Sequence, residues 1–288
     1  MVTVSSDPRP ERPAVTVRGR DSNGPRRRAA AGSVRDWANR EATLGIVAVS
    51  AHLDDAALSA SVALANSGAT VVTVFSGLPS AGYDVSSWDR LTGAVNSADR
   101  QRERRAEDAA AMRILAAQAG YLDEQEALYR STEPDLDRIS EAMVPYFAGA
   151  DEVWLPSAIG GHGDHAIARD AGLRAAATAG HESVVLYADF PYVIIYGWPS
   201  WVSGERADPY LDAASWLSDA IRAAGLAAAA LTPQVIALTE EQRQLKAEVV
   251  AAYRSQAPVL RLAPADLARE PAKLGYELYW RMRLAPKP

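Results

Sequence analysis

The segment Ser50-Ala51-His52-Leu53-Asp54-Asp55-Ala56 places one imidazole beside two carboxylates. His52 and Asp55 are three residues apart, so one turn at a helix start aims both at a single point, while Asp54 projects in another direction. Two metal-type ligands with a free carboxylate beside them are what a hydrolytic metal site requires. By itself the segment reads equally well as a helix cap with a hydrogen-bonded loop histidine. A second segment, Pro156-Ser157-Ala158-Ile159-Gly160-Gly161-His162-Gly163-Asp164-His165, shifts that balance. The chain has four histidines, and three of them lie in these two segments in the company of aspartate. His165 can complete a His-Asp-His set with His52 and Asp55 that leaves a zinc position open for water. His162 and Asp164 then remain for acid–base work. The competing reading of the second segment is a glycine-rich turn with Asp164 as a cap.

Both segments leave expected strands and enter expected helices. Residues 44–49 are a short run rich in β-branched side chains and apolar on both faces, as in strands buried inside parallel sheets. A helix is expected over 54–67, closed by Gly68, followed by a strand over 70–75; this is a βαβ unit. A polar loop (77–97), a long charged helix (98–119), a helix (136–147) and a strand (152–155) continue the alternation. A helix over 164–179 and a strand over 183–187 come next. The aromatic-rich stretch 190–201 resembles a loop over a pocket. A strand over 234–238, a helix capped by Thr239 and reaching 253, and a terminal strand over 274–282 complete the reading. The expected fold is α/β, a Rossmann-like three-layer sandwich with a mostly parallel sheet. In that architecture ligands bind beyond the carboxyl ends of the strands, so the site is sought just after Val49, Phe75, Leu155 and Tyr187.

Composition narrows the chemistry. The 288 residues are 48% hydrophobic and 23% charged, as in a globular chain, and the net charge of −6 argues against generic nucleic-acid binding. Cysteine is absent, which excludes thiolate zinc sites, cysteine nucleophiles and iron–sulfur clusters. Residues 1–40 hold nine arginines against four acids, with four prolines and no sustained apolar period, so a disordered basic arm is expected there and a single domain over 41–288. No apolar stretch follows the first charges as a secretory signal requires, and none is long enough to span a membrane; a cytoplasmic protein is expected. No G-x-S-x-G elbow, phosphate-binding G-x-x-x-x-G-K-[ST] or G-x-G-x-x-G after the first strand is present, which argues against serine hydrolases and dinucleotide enzymes.

His52-Leu53-Asp54-Asp55 with His162-Gly163-Asp164-His165 resembles the two signature motifs, HPDD and HxDH, of the PIG-L (LmbE-like) family of zinc-dependent N-deacetylases. Arg104 and Glu107, leading into Ala111 and Leu115, resemble the family's R-x-x-E helix. Lys246, Tyr253, Ser255 and Gln256 resemble its late K…Y-x-S-Q stretch, and Asp189-Phe190-Pro191-Tyr192 is similar to a D-x-P-Y segment of a bacterial subgroup. The resemblance covers residues 44–282. Two departures stand out: Leu53 replaces the usual proline, and Ala56 stands where many members have glutamate.

The resemblance implies one Zn2+ per chain, or another divalent ion, held by His52, Asp55 and His165. Asp54 would act as the base and return the proton to the leaving amine. His162 would help stabilise the oxyanion, its protonated form favoured by Asp164. The implied substrate is an N-acetylglucosamine unit on a glycan, lipid, thiol precursor or antibiotic intermediate, giving acetate and a free amine. Arg104 is a candidate substrate contact, against the alternative of a solvated helix face. Tyr192 could line the acceptor side with Tyr187, Tyr196 and Trp198, though for these aromatics core packing is the stronger reading. Two rivals stay open: an amidase or deacylase for a larger acyl group or a non-sugar amide, and a non-catalytic binding protein on the same fold.

Overall fold

A computed structural model describes residues 45–284 except 66, 196, 206–211 and 228–230. The expected basic arm lies outside the described residues. The apolar run Ile46–Ser50 forms β1, every residue of it buried, near the middle of a seven-stranded sheet. The other strands are β2 (Thr70–Thr73), β3 (Gln118–Tyr121), β4 (Glu152–Pro156), β5 (Ser183–Tyr187), β6 (Leu231–Ala237) and β7 (Tyr276–Arg283), in the order β3-β2-β1-β4-β5-β7-β6. The first five in that order run parallel. β7 pairs antiparallel with both β5 and β6. This is the expected α/β architecture with a mostly parallel sheet.

The helices are α1 (Asp55–Ser59), α2 (Ser61–Leu64), α3 (Ser87–Leu91), α4 (Ser97–Leu115), α5 (Leu136–Phe147), α6 (Gly163–Thr178), α7 (Ser200–Ser203), α8 (Ala213–Ala223), α9 (Glu240–Ala252) and α10 (Pro264–Arg269). α4 and α9 pack on each other, and α9 also meets α1 and α2; α5 packs on α6. Right-handed crossovers to either side of β1 and β4 put these two groups on opposite faces of the sheet. Thr239 caps α9 in a full capping box with Gln242.

Four expectations change. The helix expected over 54–67 is two short helices broken at Ala60. Ser61 Oγ donates back to the Ala57 carbonyl, and the Val62 N–H goes to the Glu277 carboxylate at 3.2 Å instead of continuing the ladder. The polar loop contains α3, whose N-cap Ser86 accepts from Asp89 N–H. The long helix ends at Leu115, where Ala116 turns left-handed (φ 53), and releases Gln118–Tyr121 as the edge strand β3. β6 starts three residues earlier than expected, and as an edge strand it tolerates Pro233.

Strand order reverses between β1 and β4, the switch point at which loops diverge and a crevice opens. Among the described residues no helix is long and apolar enough to cross a membrane.

Candidate functional site

β1 and β4 are parallel neighbours, so the loops that leave their carboxyl ends meet over the switch point. That juxtaposition brings residues 52–55 to residues 162–165, which are more than a hundred positions away in sequence. The first loop is held as a tight turn: Ser50 Oγ donates to the His52 carbonyl at 2.6 Å and accepts Ala56 N–H at 3.0 Å, while Asp55 Oδ2 accepts His52 N–H at 2.7 Å. In the second loop Gly160 (φ +100) and Gly161 (φ +73) take left-handed conformations. His162 then caps α6, its Nδ1 accepting Asp164 N–H at 3.2 Å.

Asp55 Oδ2 lies 3.2 Å from both His52 Nδ1 and His165 Nε2. The three residues offer ligand atoms that all fall within 4.8 Å of one another. Each imidazole is oriented by a carboxylate behind it. Asp189 Oδ1 takes His165 Nδ1–H at 2.6 Å, and Asp164 Oδ2 takes His52 Nε2–H at 3.0 Å, which leaves the other nitrogen of each ring facing Asp55. His165 Nε2 is buried with no hydrogen-bond partner among the described residues. An orphaned imidazole nitrogen aimed at a carboxylate, with a second imidazole beside it, is a two-nitrogen, one-oxygen donor set that fits a divalent cation.

Asp54 stands next to this set; its N–H donates to the His52 carbonyl at 2.9 Å, while among the described residues its carboxylate makes no hydrogen bond to the set. Burial, with the adjacent charge of Asp55, pushes its carboxyl up to about 7, against the pull of Arg104 and His52. Burial would raise Asp55 too, but the charges of His165 and His52 outweigh it and hold that carboxyl well below the usual range. Burial and the neighbouring imidazoles push His162 down to about 4. The expected Asp164–His162 charge pair is therefore not formed. Asp164 is occupied elsewhere, by His52, by Ala127 N–H at 3.0 Å and by Arg130 Nη2 at 2.6 Å, and the neutral His162 faces the cavity.

His52, Asp54, Asp55, His162 and Asp164 line a cavity of about 330 Å3 that also includes Arg104, Glu126 and Tyr192. Arg104 is 4% exposed and pairs with Glu126 at 2.6 Å, so it is not a solvated helix face. The Tyr192 ring meets His165 edge-on at 5.5 Å and lies where a Gly160 side chain would be. Tyr187 is core, its hydroxyl on the Val49 carbonyl, and Trp198 packs on Tyr276; Tyr196 lies outside the described residues.

Sequence reasoning gave no role to Asp189, Glu126 or Arg130. Asp189 was visible only as part of a short motif, and no local pattern marks the other two, which follow an unforeseen edge strand. Glu107 accepts from Ser255 N–H and Oγ, Tyr253 donates to Asp108, and Lys246 pairs with Glu277. Through Glu107 and Asp108 they tie α4 to the end of α9.

Residues 47–176, which contain both motifs, match the family described as PIG-L, GlcNAc-PI de-N-acetylase. Among solved structures, the A40926 pseudoaglycone deacetylase Dbv21 is 27% identical, covering 85% of this chain and all of its own, with a TM-score of 0.61. The zinc-inhibited form of teicoplanin deacetylase Orf2 is 23% identical over 84% of this chain and 99% of its own, with a TM-score of 0.62, and shares the fold. A search of curated protein sequences found no significant match. Both signature motifs lie inside the matched segment and converge on one cluster, so residues 47–176 match the PIG-L family over the stretch that builds the site, and the chain shares the fold of these deacetylases.

Proposed function

We propose that this protein is a divalent-metal-dependent N-deacetylase, with zinc as the expected ion, that hydrolyses the acetamido group of a sugar conjugate to acetate and a free amine. The observation that carries the proposal is the convergence of His52, Asp55 and His165 on one point with the uncommitted Asp54 beside it. The family description names a GlcNAc conjugate, and the solved neighbours are named for deacetylation of A40926 pseudoaglycone and teicoplanin; both support an acetamido group on a larger molecule.

His52 Nδ1, the Asp55 carboxylate and His165 Nε2 would hold the ion. When bound, a divalent cation there supplies Lewis acidity for the amide carbonyl and acidifies the attacking water. Asp54 takes the proton of that water and returns it to the departing nitrogen, a role suited to a carboxyl titrating near neutrality. Because His162 Nδ1 accepts the helix-capping hydrogen bond, its proton sits on Nε2, which can donate to the oxyanion as charge develops. Asp164 and Asp189 position the two ligand imidazoles.

The test is paired. Asp54→Asn should keep about one metal ion per chain and lose activity by about 10²-fold or more, whereas His165→Ala should lose the metal. Full acetate release by the Asp54→Asn variant would refute the assignment.

A further inference from the structure

The buried end of the cavity gathers charged side chains beside Leu58 and Phe190, and its exposed lining is mainly apolar. His52, Asp54, Asp55, Arg104 and Asp164 are all buried to within 9% exposure, and they form the floor. The exposed residues of the lining are Leu91, 70% exposed, and Leu128, 41%, together with Ala127 and a single polar side chain, Ser87. Half-buried Trp88 and Leu260 belong to the same lining. Single exposed leucines are ordinary on protein surfaces. These differ because three separate segments contribute them to one opening: α3, the loop after β3, and the turn after α9.

Trp88 is also held in place. Its Nε1–H donates to Gln256 Oε1 at 2.9 Å, Gln256 Nε2 donates to Ser255 Oγ at 2.9 Å, and Ser255 Oγ donates to Glu107 at 2.7 Å. A pinned indole offers a large apolar face that loses little freedom when something lies against it.

A substrate whose acetamido group reaches Asp54 has the rest of its molecule leaving past this opening. A polar extension would give up hydration against Leu91 and Leu128, with Ser87 as the one exposed lining side chain able to hydrogen-bond it. We infer that the substrate is an acetamido sugar bearing an apolar aglycone, which lies on Trp88, Leu91, Leu128 and Leu260 while the sugar occupies the polar floor. The sugar end rests on the deacetylase reading above; the apolar contact is a statement about binding that turnover alone does not decide.

The experiment compares methyl, octyl and phenyl glycosides of N-acetylglucosamine, the octyl compound below its micellar concentration. Amine release and calorimetric affinity are measured on Zn2+-loaded protein and on a Leu91→Ser/Leu128→Ser variant whose fold is verified by thermal melting. Burial of one methylene is worth about fourfold, so three buried methylenes raise kcat/KM for the octyl glycoside about 60-fold over the methyl one. The double substitution should bring that ratio below about fivefold. Whichever of octyl and phenyl gains more identifies the aglycone as alkyl or aryl. Equal kcat/KM for all three, or a preference unmoved by the double substitution, overturns the inference. If none is hydrolysed, the deacetylase reading fails and affinity decides: the same order with the same loss in the variant supports the apolar contact, and equal affinities refute it.

Discussion

Replacing Asp189 by asparagine removes one charge and one acceptor from behind the metal-facing His165, and the consequence can be worked through atom by atom. Asp189 Oδ1 takes His165 Nδ1–H at 2.6 Å, while Oδ2 takes Ser157 Oγ–H at 2.6 Å and Ile159 N–H at 2.9 Å. An amide has one accepting end and one donating end. With its oxygen towards His165, its NH2 confronts Ile159 N–H and leaves a buried hydrogen bond unmade, at about 1–3 kcal/mol. Turned round, the NH2 donates to His165 Nδ1 and drives the ring proton to Nε2, the nitrogen that faces Asp55, so the lone pair a metal needs is gone. The first orientation lowers stability and the second lowers metal affinity. The expected result is a Zn2+ affinity reduced about 10–100-fold. A fall in Tm of about 2–12 °C accompanies it, at about 2–4 °C per kcal/mol for a domain of this size. Chelator competition on the purified variant reads the affinity and a thermal melt reads the stability. If affinity stays within twofold and Tm within a degree of the parent, the assignment of Asp189 as the residue that orients His165 is wrong.

Three further outcomes follow from the same geometry. Lys246→Met should lower Tm by about 6–20 °C, because it leaves the buried Glu277 carboxylate without its ammonium partner, a loss of about 3–5 kcal/mol; an unchanged melt would show that the pair contributes nothing. Gly160→Ala should destabilise by about 1–3 kcal/mol and cut kcat/KM, since φ is +100 and the new methyl would lie 2.5 Å from the Tyr192 ring; acetate release and a melt check both effects. Asp54 acts as a base only when ionised, so kcat/KM should rise with pH through an acid limb at or below about pH 7. A bound cation moves that limb down, never up, because positive charge favours the carboxylate. A profile between pH 5 and 7 that falls as pH rises contradicts the role.

Periodicity and β-branching were enough to locate β1, β4 and β5, and Leu136–Phe147 and Ser183–Tyr187 were read with their observed ends. The histidine–aspartate segments were legible because both sit where strands end, and parallel sheets gather such ends along one edge. What escaped depends on distant partners. The break at Ala60 depends on the Glu277 carboxylate, 215 residues after the Val62 N–H that it accepts. β3 has only four residues, with Gln118 and Ala119 exposed, so it offers neither alternation nor an apolar run. The pairing of Asp164 with His52 in preference to its sequence neighbour His162 follows from strand adjacency, which no local spacing encodes.

β7 is the final strand of the sheet in chain order, yet it is inserted between β5 and β6, and its Glu277 receives both Lys246 and the backbone of α2. On a ribosome, the edge of β5 stays bare and β6 has no mate until this segment emerges. Assembly around the helix pair that follows His52 therefore waits until residues 276–283 are synthesised, and a nascent chain stalled before Tyr276 would be left with an open, adhesive sheet and an unanchored first loop.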